Sequence, residues 1–214
     1  MTPVTWLILV AYLSLLLELV VFPIPSEAST YQLFFKTEGE VDSPGDGSLG
    51  RARQRSGLVK SCCYFLPTAL GVVLFLIPLG ASVYPEIIES LFPVSALQTS
   101  LFTGFGALAV VLGRSITFGS VLQLRRQKRS GKLSAQGIFT LSRNPGLVGM
   151  YVFYIGNALL FPCWVLIIGF LPYVINMHRR VLMEENHLAE LIGSEYRVYL
   201  ERVARYLPLG IGSR

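Results

Sequence analysis

The chain has 214 residues, 52% of them hydrophobic and 14% charged, with a formal net charge of +5 and a mean hydropathy of +0.56. So small a polar fraction cannot cover a water-soluble globule of this length, which excludes an ordinary soluble domain and points to an integral membrane protein. The 18 Lys and Arg residues then read as a basic face beside anionic lipid, and binding to nucleic acid is not expected.

Taken in order, residues 4–22, 61–84 and 91–113 are apolar runs of spanning length, each near the roughly 20 residues that cross about 30 Å of hydrocarbon. The first opens on "MTPVTW", without a basic residue, so an uncleaved anchor is expected rather than a cleaved signal peptide. Glu18 is an ionisable residue inside that run, near its inner end, where it could reach water or serve a function. Residues 23–60 mix Gly, Ser, Pro and acidic residues before turning basic, as a flexible cytoplasmic loop does. Cys62, Cys63 and Cys163 lack metal-type spacing, so neither a disulfide framework nor a metal site is expected. "GFGALAVVLG" at 104–113 has close glycines but no strand-turn-helix context, and reads as helix packing rather than a dinucleotide fingerprint.

Residues 147–177 contain no Asp, Glu, Lys or Arg, and at about 1.5 Å per residue this run is too long for one crossing. Pro162 divides it, so 147–160 and 163–177 are expected to form a hairpin of two short helices, with Gly146, Gly149 and Gly156 allowing close backbone approach. Before the hairpin, "GIFTLSRNPGLVGMY" sets Arg143 and a Pro-Gly turn at its mouth. After it, Arg180, Glu184, His187 and Leu188 follow helical spacing, and Gly193 can end that helix. Glu184 and His187 have the spacing of a carboxylate-bridged metal helix, but the second copy such a site needs is missing. Lys and Arg occur only in 23–60, 114–146 and after 177. Five crossings, with the N-terminus outside and the C-terminus cytoplasmic, place all of them on one side.

The segments Gly137-Ile-Phe139, Arg143-Asn144-Pro145-Gly146-Leu147-Val148-Gly149, Arg180, Glu184-Glu185, Gly193-Ser-Glu-Tyr196 and Pro208 occur in that order. This combination, over about residues 114–208, resembles the integral membrane methyltransferases of the isoprenylcysteine carboxyl methyltransferase and phospholipid methyltransferase superfamily. The resemblance implies an all-α polytopic membrane protein of about five spans, with a C-terminal helical hairpin and a cytoplasmic helix after it. One membrane-embedded domain over 1–214 is expected, in which the apolar runs of 1–113 supply three spans and 114–208, by resemblance, binds S-adenosylmethionine. By resemblance, Lys132, Leu133, Ser134, Phe139, Asn144, Pro145, Gly146, Leu147 and Glu184 would line the cofactor. Arg180 would face the acceptor, and Arg143, Arg180 and Glu185 would be the catalytic set. Asn144 stands where the family has histidine, Leu147 where it has tyrosine, and Phe139 lacks the family's phenolic hydroxyl.

Methyl transfer from a sulfonium needs alignment and exclusion of water, with no protein nucleophile, and no nucleophilic constellation is visible in the sequence. The expected acceptor is lipophilic, first an isoprenylcysteine-like carboxylate undergoing O-methylation, with a phospholipid amine as the alternative. An NADPH-dependent sterol-reductase-like enzyme and a non-catalytic membrane scaffold are the rivals from other classes.

Overall fold

In a computed structural model, residues 2–21, 71–91, 99–130 and 137–207 are described, and every regular element among them is helical. They are α1 (Pro3–Val21), α2 (Gly71–Val83), α3 (Pro85–Leu91), α4 (Ser100–Ser130), a 3-10 turn (Gly137–Thr140), α5 (Pro145–Leu160), α6 (Trp164–Ile192) and α7 (Ser194–Arg202). The expected loop at 23–60, Cys62, Cys63, Lys132, Leu133, Ser134 and Pro208 lie outside the described residues.

Among the described residues two stretches are long and apolar enough to cross a membrane, Ser100–Leu124 and Trp164–Glu190, while Pro3–Glu18, Gly71–Val83 and Pro145–Leu160 are shorter apolar helices. Their outward faces carry large apolar side chains: Leu101, Trp164, Ile168 and Leu171 are each more than 60% exposed. Such a belt suits hydrocarbon rather than water.

Antiparallel packing of α4 on α5 dominates the core. A methyl group added at Gly113 would lie 2.7 Å from the Gly149 carbonyl oxygen, and one at Gly156 would lie 2.7 Å from the Val110 nitrogen. Gly106 faces Leu160 in the same way, and Gly146 faces Ser120. The pairing descends along α4 as it ascends along α5, which fixes opposite chain directions. Only glycine lets two backbones approach this closely, which is how helices gain contact area in lipid. The packing read into "GFGALAVVLG" and into Gly146, Gly149 and Gly156 is therefore observed, except that Gly104 faces open space.

Three boundaries differ from those expected. The run read as 91–113 is helical from Ser100 to Ser130, because the helix continues past its apolar part into basic sequence. Position 113/114 thus lies inside α4. The second hairpin arm does not stop at 177: α6 runs unbroken to Ile192 and ends at Gly193, whose φ of 79° suits a residue without a side chain. No breaker lies between 177 and 193, and Pro172 is accommodated inside the helix. "PEIIESL", between the runs read as 61–84 and 91–113 and overlapping the second by one residue, is the short helix α3. The break at Pro162 is where the sequence placed it, between α5 and α6.

Glu18 does not reach water. Its side chain is 8% exposed, and Arg114 Nη2 donates to its Oε2 at 2.7 Å. Arg114 Nε also donates to Ser14 Oγ at 3.0 Å, so α1 is tied to α4 by a buried ion pair. Below it, Ile8, Ala11 and Tyr12 of α1 pack on Val110, Phe153 and Leu160. The Tyr12 hydroxyl donates to the Phe75 carbonyl of α2. Leu74 and Ile77 of α2 pack with Tyr154, Leu166 and Tyr173 of the hairpin.

Candidate active site

Where α4, the mouth of the hairpin and the C-terminal half of α6 meet, they line a cavity of about 600 Å³, within the roughly 300–1,000 Å³ usual for small-molecule sites. Phe139, Arg143, Asn144, Pro145, Gly146 and Leu147 line one wall, and Arg180, Glu184 and Glu185 line the opposite one. Every expected site residue that lies among the described residues borders this one space. The two polar flanks of the hairpin are thus adjacent, because α6 folds back along α5 and then continues past its start.

The first wall is a turn followed by a helix start. Ser142 Oγ accepts from the Asn144 amide at 3.1 Å, and Pro145 begins α5, where a missing amide proton costs nothing. The Asn144 side chain makes no capping bond to α5. Its Nδ2 instead donates to the Arg205 carbonyl at 3.2 Å. A methyl group on Gly146 would meet Ser120 Oγ at 2.8 Å, so this glycine keeps the turn against α4 at the cavity floor. Phe139 is held through its carbonyl, which accepts from the Tyr199 hydroxyl at 3.1 Å.

Glu185 is the buried charge of the site, 6% exposed. Arg205 donates to its Oε2 through Nε at 3.0 Å and approaches through Nη2 at 2.9 Å. Arg143 Nε stands 3.4 Å from Oε1, and its Nη1 donates to the Leu200 carbonyl at 3.1 Å. One carboxylate therefore holds two guanidinium groups from separate segments. The hydrogen bond to Glu185 keeps the Arg205 guanidinium above its already high range. Burial, helped by the Glu185 charge, pushes the Tyr196 hydroxyl up to about 12, so it stays neutral at physiological pH. Glu184, one residue earlier and exposed, borders the cavity without this shielding.

Sequence reasoning did not single out Tyr173, Met177 and Val181, which line the α6 wall, or Ser120, Val121, Leu124 and Met150 opposite. Positions 173, 177, 180, 181, 184 and 188 recur at three- and four-residue spacing, one face of a continuous helix. Ending the arm at 177 concealed that face. Arg205 was also missed, although it lies three residues before Pro208 of the motif. Among the described residues no group of His, Cys, Asp and Glu could hold a metal ion.

The phospholipid methyltransferase family matches residues 101–195, a span that runs from α4 through Glu185 to the start of α7. Comparison with curated proteins and with solved structures gave no match. A family that methylates lipids, an all-helical fold and a cavity built from the motif residues agree. Over residues 101–195 the chain is similar to the phospholipid methyltransferases, consistent with the superfamily that also includes the isoprenylcysteine carboxyl methyltransferases.

Proposed function

We propose that the protein transfers a methyl group from S-adenosylmethionine to a lipophilic acceptor in the cavity between α5 and α6, on the cytoplasmic side of a five-span protein whose N-terminus is outside. The observation that carries this reading is the convergence of Phe139, Asn144, Pro145, Gly146, Leu147, Arg180 and Glu184 on one space of about 600 Å³. The donor set suits the cofactor. Apolar contacts come from Phe139, Pro145 and Leu147, the Gly146 backbone approaches without a side chain, and Glu184 offers a carboxylate to cationic groups. The cofactor, when bound, supplies an electrophilic methyl carbon on a sulfonium.

The protein's own tasks are orientation and exclusion of water. Leu124, Leu147, Met150, Met177 and Val181 supply apolar walls for a lipid-linked acceptor. Arg180 holds its anion, since a guanidinium binds a carboxylate or phosphate through paired hydrogen bonds. Arg143 and Glu185 engage each other across the site and serve by fixing its two walls.

The first acceptor reading remains an isoprenylcysteine-like carboxylate, which attacks already ionised and uses Arg180 as its counterion. The family match favours a second reading, a phospholipid amine, which must first lose a proton, with Glu184 as the available carboxylate. Incubating membranes that contain the protein with methyl-labelled S-adenosylmethionine separates the two: base-labile label marks an ester, and base-stable lipid label marks an N-methyl product. Calorimetric binding of NADPH but not of S-adenosylmethionine would replace the proposal with a reductase, and binding of neither would leave a scaffold.

A further inference from the structure

The residues after α7 have no part in the functional reading above, yet they lie across the turn that forms one wall of the cavity. The Arg143 amide donates to the Ala204 carbonyl at 2.9 Å. The Arg205 carbonyl accepts from Ser142 Oγ at 3.3 Å and from Asn144 Nδ2 at 3.2 Å. Tyr206 shares a hydrogen bond of 2.8 Å with His178 Nδ1 of α6. Residues 204–206 thus bind both the turn and the helix that face each other over the cavity.

Arg205 makes the charged link in this strap. Its guanidinium occupies Glu185 Oε2, while Arg143, whose neighbours form the cofactor wall, stands at Oε1. Glu185 adjoins Glu184 on α6, so the carboxylate between the arginines also sets where the Glu184 backbone lies. We infer that Arg205 is a positioning residue, which fixes the distance between the Asn144–Leu147 turn and Glu184 by holding Glu185 in place, and so determines affinity for the cofactor. The inference rests on the proposed use of S-adenosylmethionine.

The physical basis is asymmetry. Glu185 is buried, and a buried carboxylate that loses one of two cationic partners either shifts toward the other or draws in water. Either response moves α6 relative to the turn, and small misplacements of a binding constellation are costly. The hydrogen bonds to the Arg205 carbonyl survive a change of side chain, so the strap remains attached and the effect of the guanidinium can be isolated.

The test measures S-adenosylmethionine binding by calorimetry on the purified full chain, for wild type, Arg205→Ala, Glu185→Gln and the double variant. Arg205→Ala is expected to weaken binding roughly 10- to 100-fold, and that loss should shrink to less than about threefold when Glu185→Gln is already present, as coupled residues require. Arg205→Lys, which keeps the charge but not the fork, should fall between wild type and alanine, and it takes the place of alanine in the cycle if the alanine variant does not fold. Wild-type affinity in Arg205→Ala would overturn the inference, as would an equal loss in the Glu185→Gln background. Failure of the wild-type protein to bind S-adenosylmethionine would instead defeat the functional reading beneath it.

Discussion

Replacing Gly113 by alanine tests whether α4 and α5 hold the site together by backbone contact. The new methyl carbon would stand 2.7 Å from both the Gly149 carbonyl oxygen and the Phe153 Cα, and closer still to the Phe153 amide nitrogen. Carbon atoms rest comfortably at about 3.5–4.0 Å, so the helices must separate by roughly 0.8 Å or more. None of these neighbours is a side chain that could turn away. Overpacking of this kind costs about 1–3 kcal/mol, against which alanine's better helix propensity returns about 1 kcal/mol or less. Gly104 and Gly119 sit in the same helix with nothing within 4 Å of an added methyl, so alanine there should be neutral or stabilising by up to about 1 kcal/mol. Reversible unfolding in mixed micelles, followed by far-ultraviolet circular dichroism, measures all three. Because Gly146 and Ser120 border the cavity on the same two helices, Gly113→Ala should also weaken cofactor binding. Equal stabilities for the alanine variants at 113 and 104 would refute the packing account.

Further outcomes follow from the charges and hydroxyl groups. Arg180→Ala should lower methyl transfer by about 10²-fold or more with the unfolding transition unchanged, and undiminished labelling would remove Arg180 from the mechanism. Glu18→Ala or Arg114→Ala should each destabilise the fold by about 3–5 kcal/mol, while a Glu18→Leu/Arg114→Met double variant should recover most of that loss, as a mixed-micelle unfolding series would show. The Tyr196 hydroxyl is raised from 10.0 to about 12 by burial, so the folded state holds this proton more tightly than the unfolded one. Its contribution is complete below about pH 10 and disappears as pH rises toward 12. Tyr196→Phe should therefore flatten the fall in stability across that window, and an identical pH profile in the variant would contradict the assignment.

Sequence alone determined the helical class of the protein and singled out many of the residues that line the cavity. Apolar runs, a proline break at 162 and a glycine stop at 193 are local features, because helix length, breakers and caps act on neighbouring residues. The motif likewise supplied Arg143 to Leu147 and Glu184-Glu185 before any coordinates, since those residues keep their order and spacing along the chain. Which faces meet was decided only in three dimensions. Glu18 looked able to reach water or to serve a function until Arg114, 96 residues away, proved to lie against it. Glu185 was expected in the catalytic set, and that it lies between Arg143 and Arg205 became visible only in the folded chain. A carboxylate's chemistry depends on the charges and solvent around it, and those come from segments brought together by helix packing, about which spacing along the chain is silent.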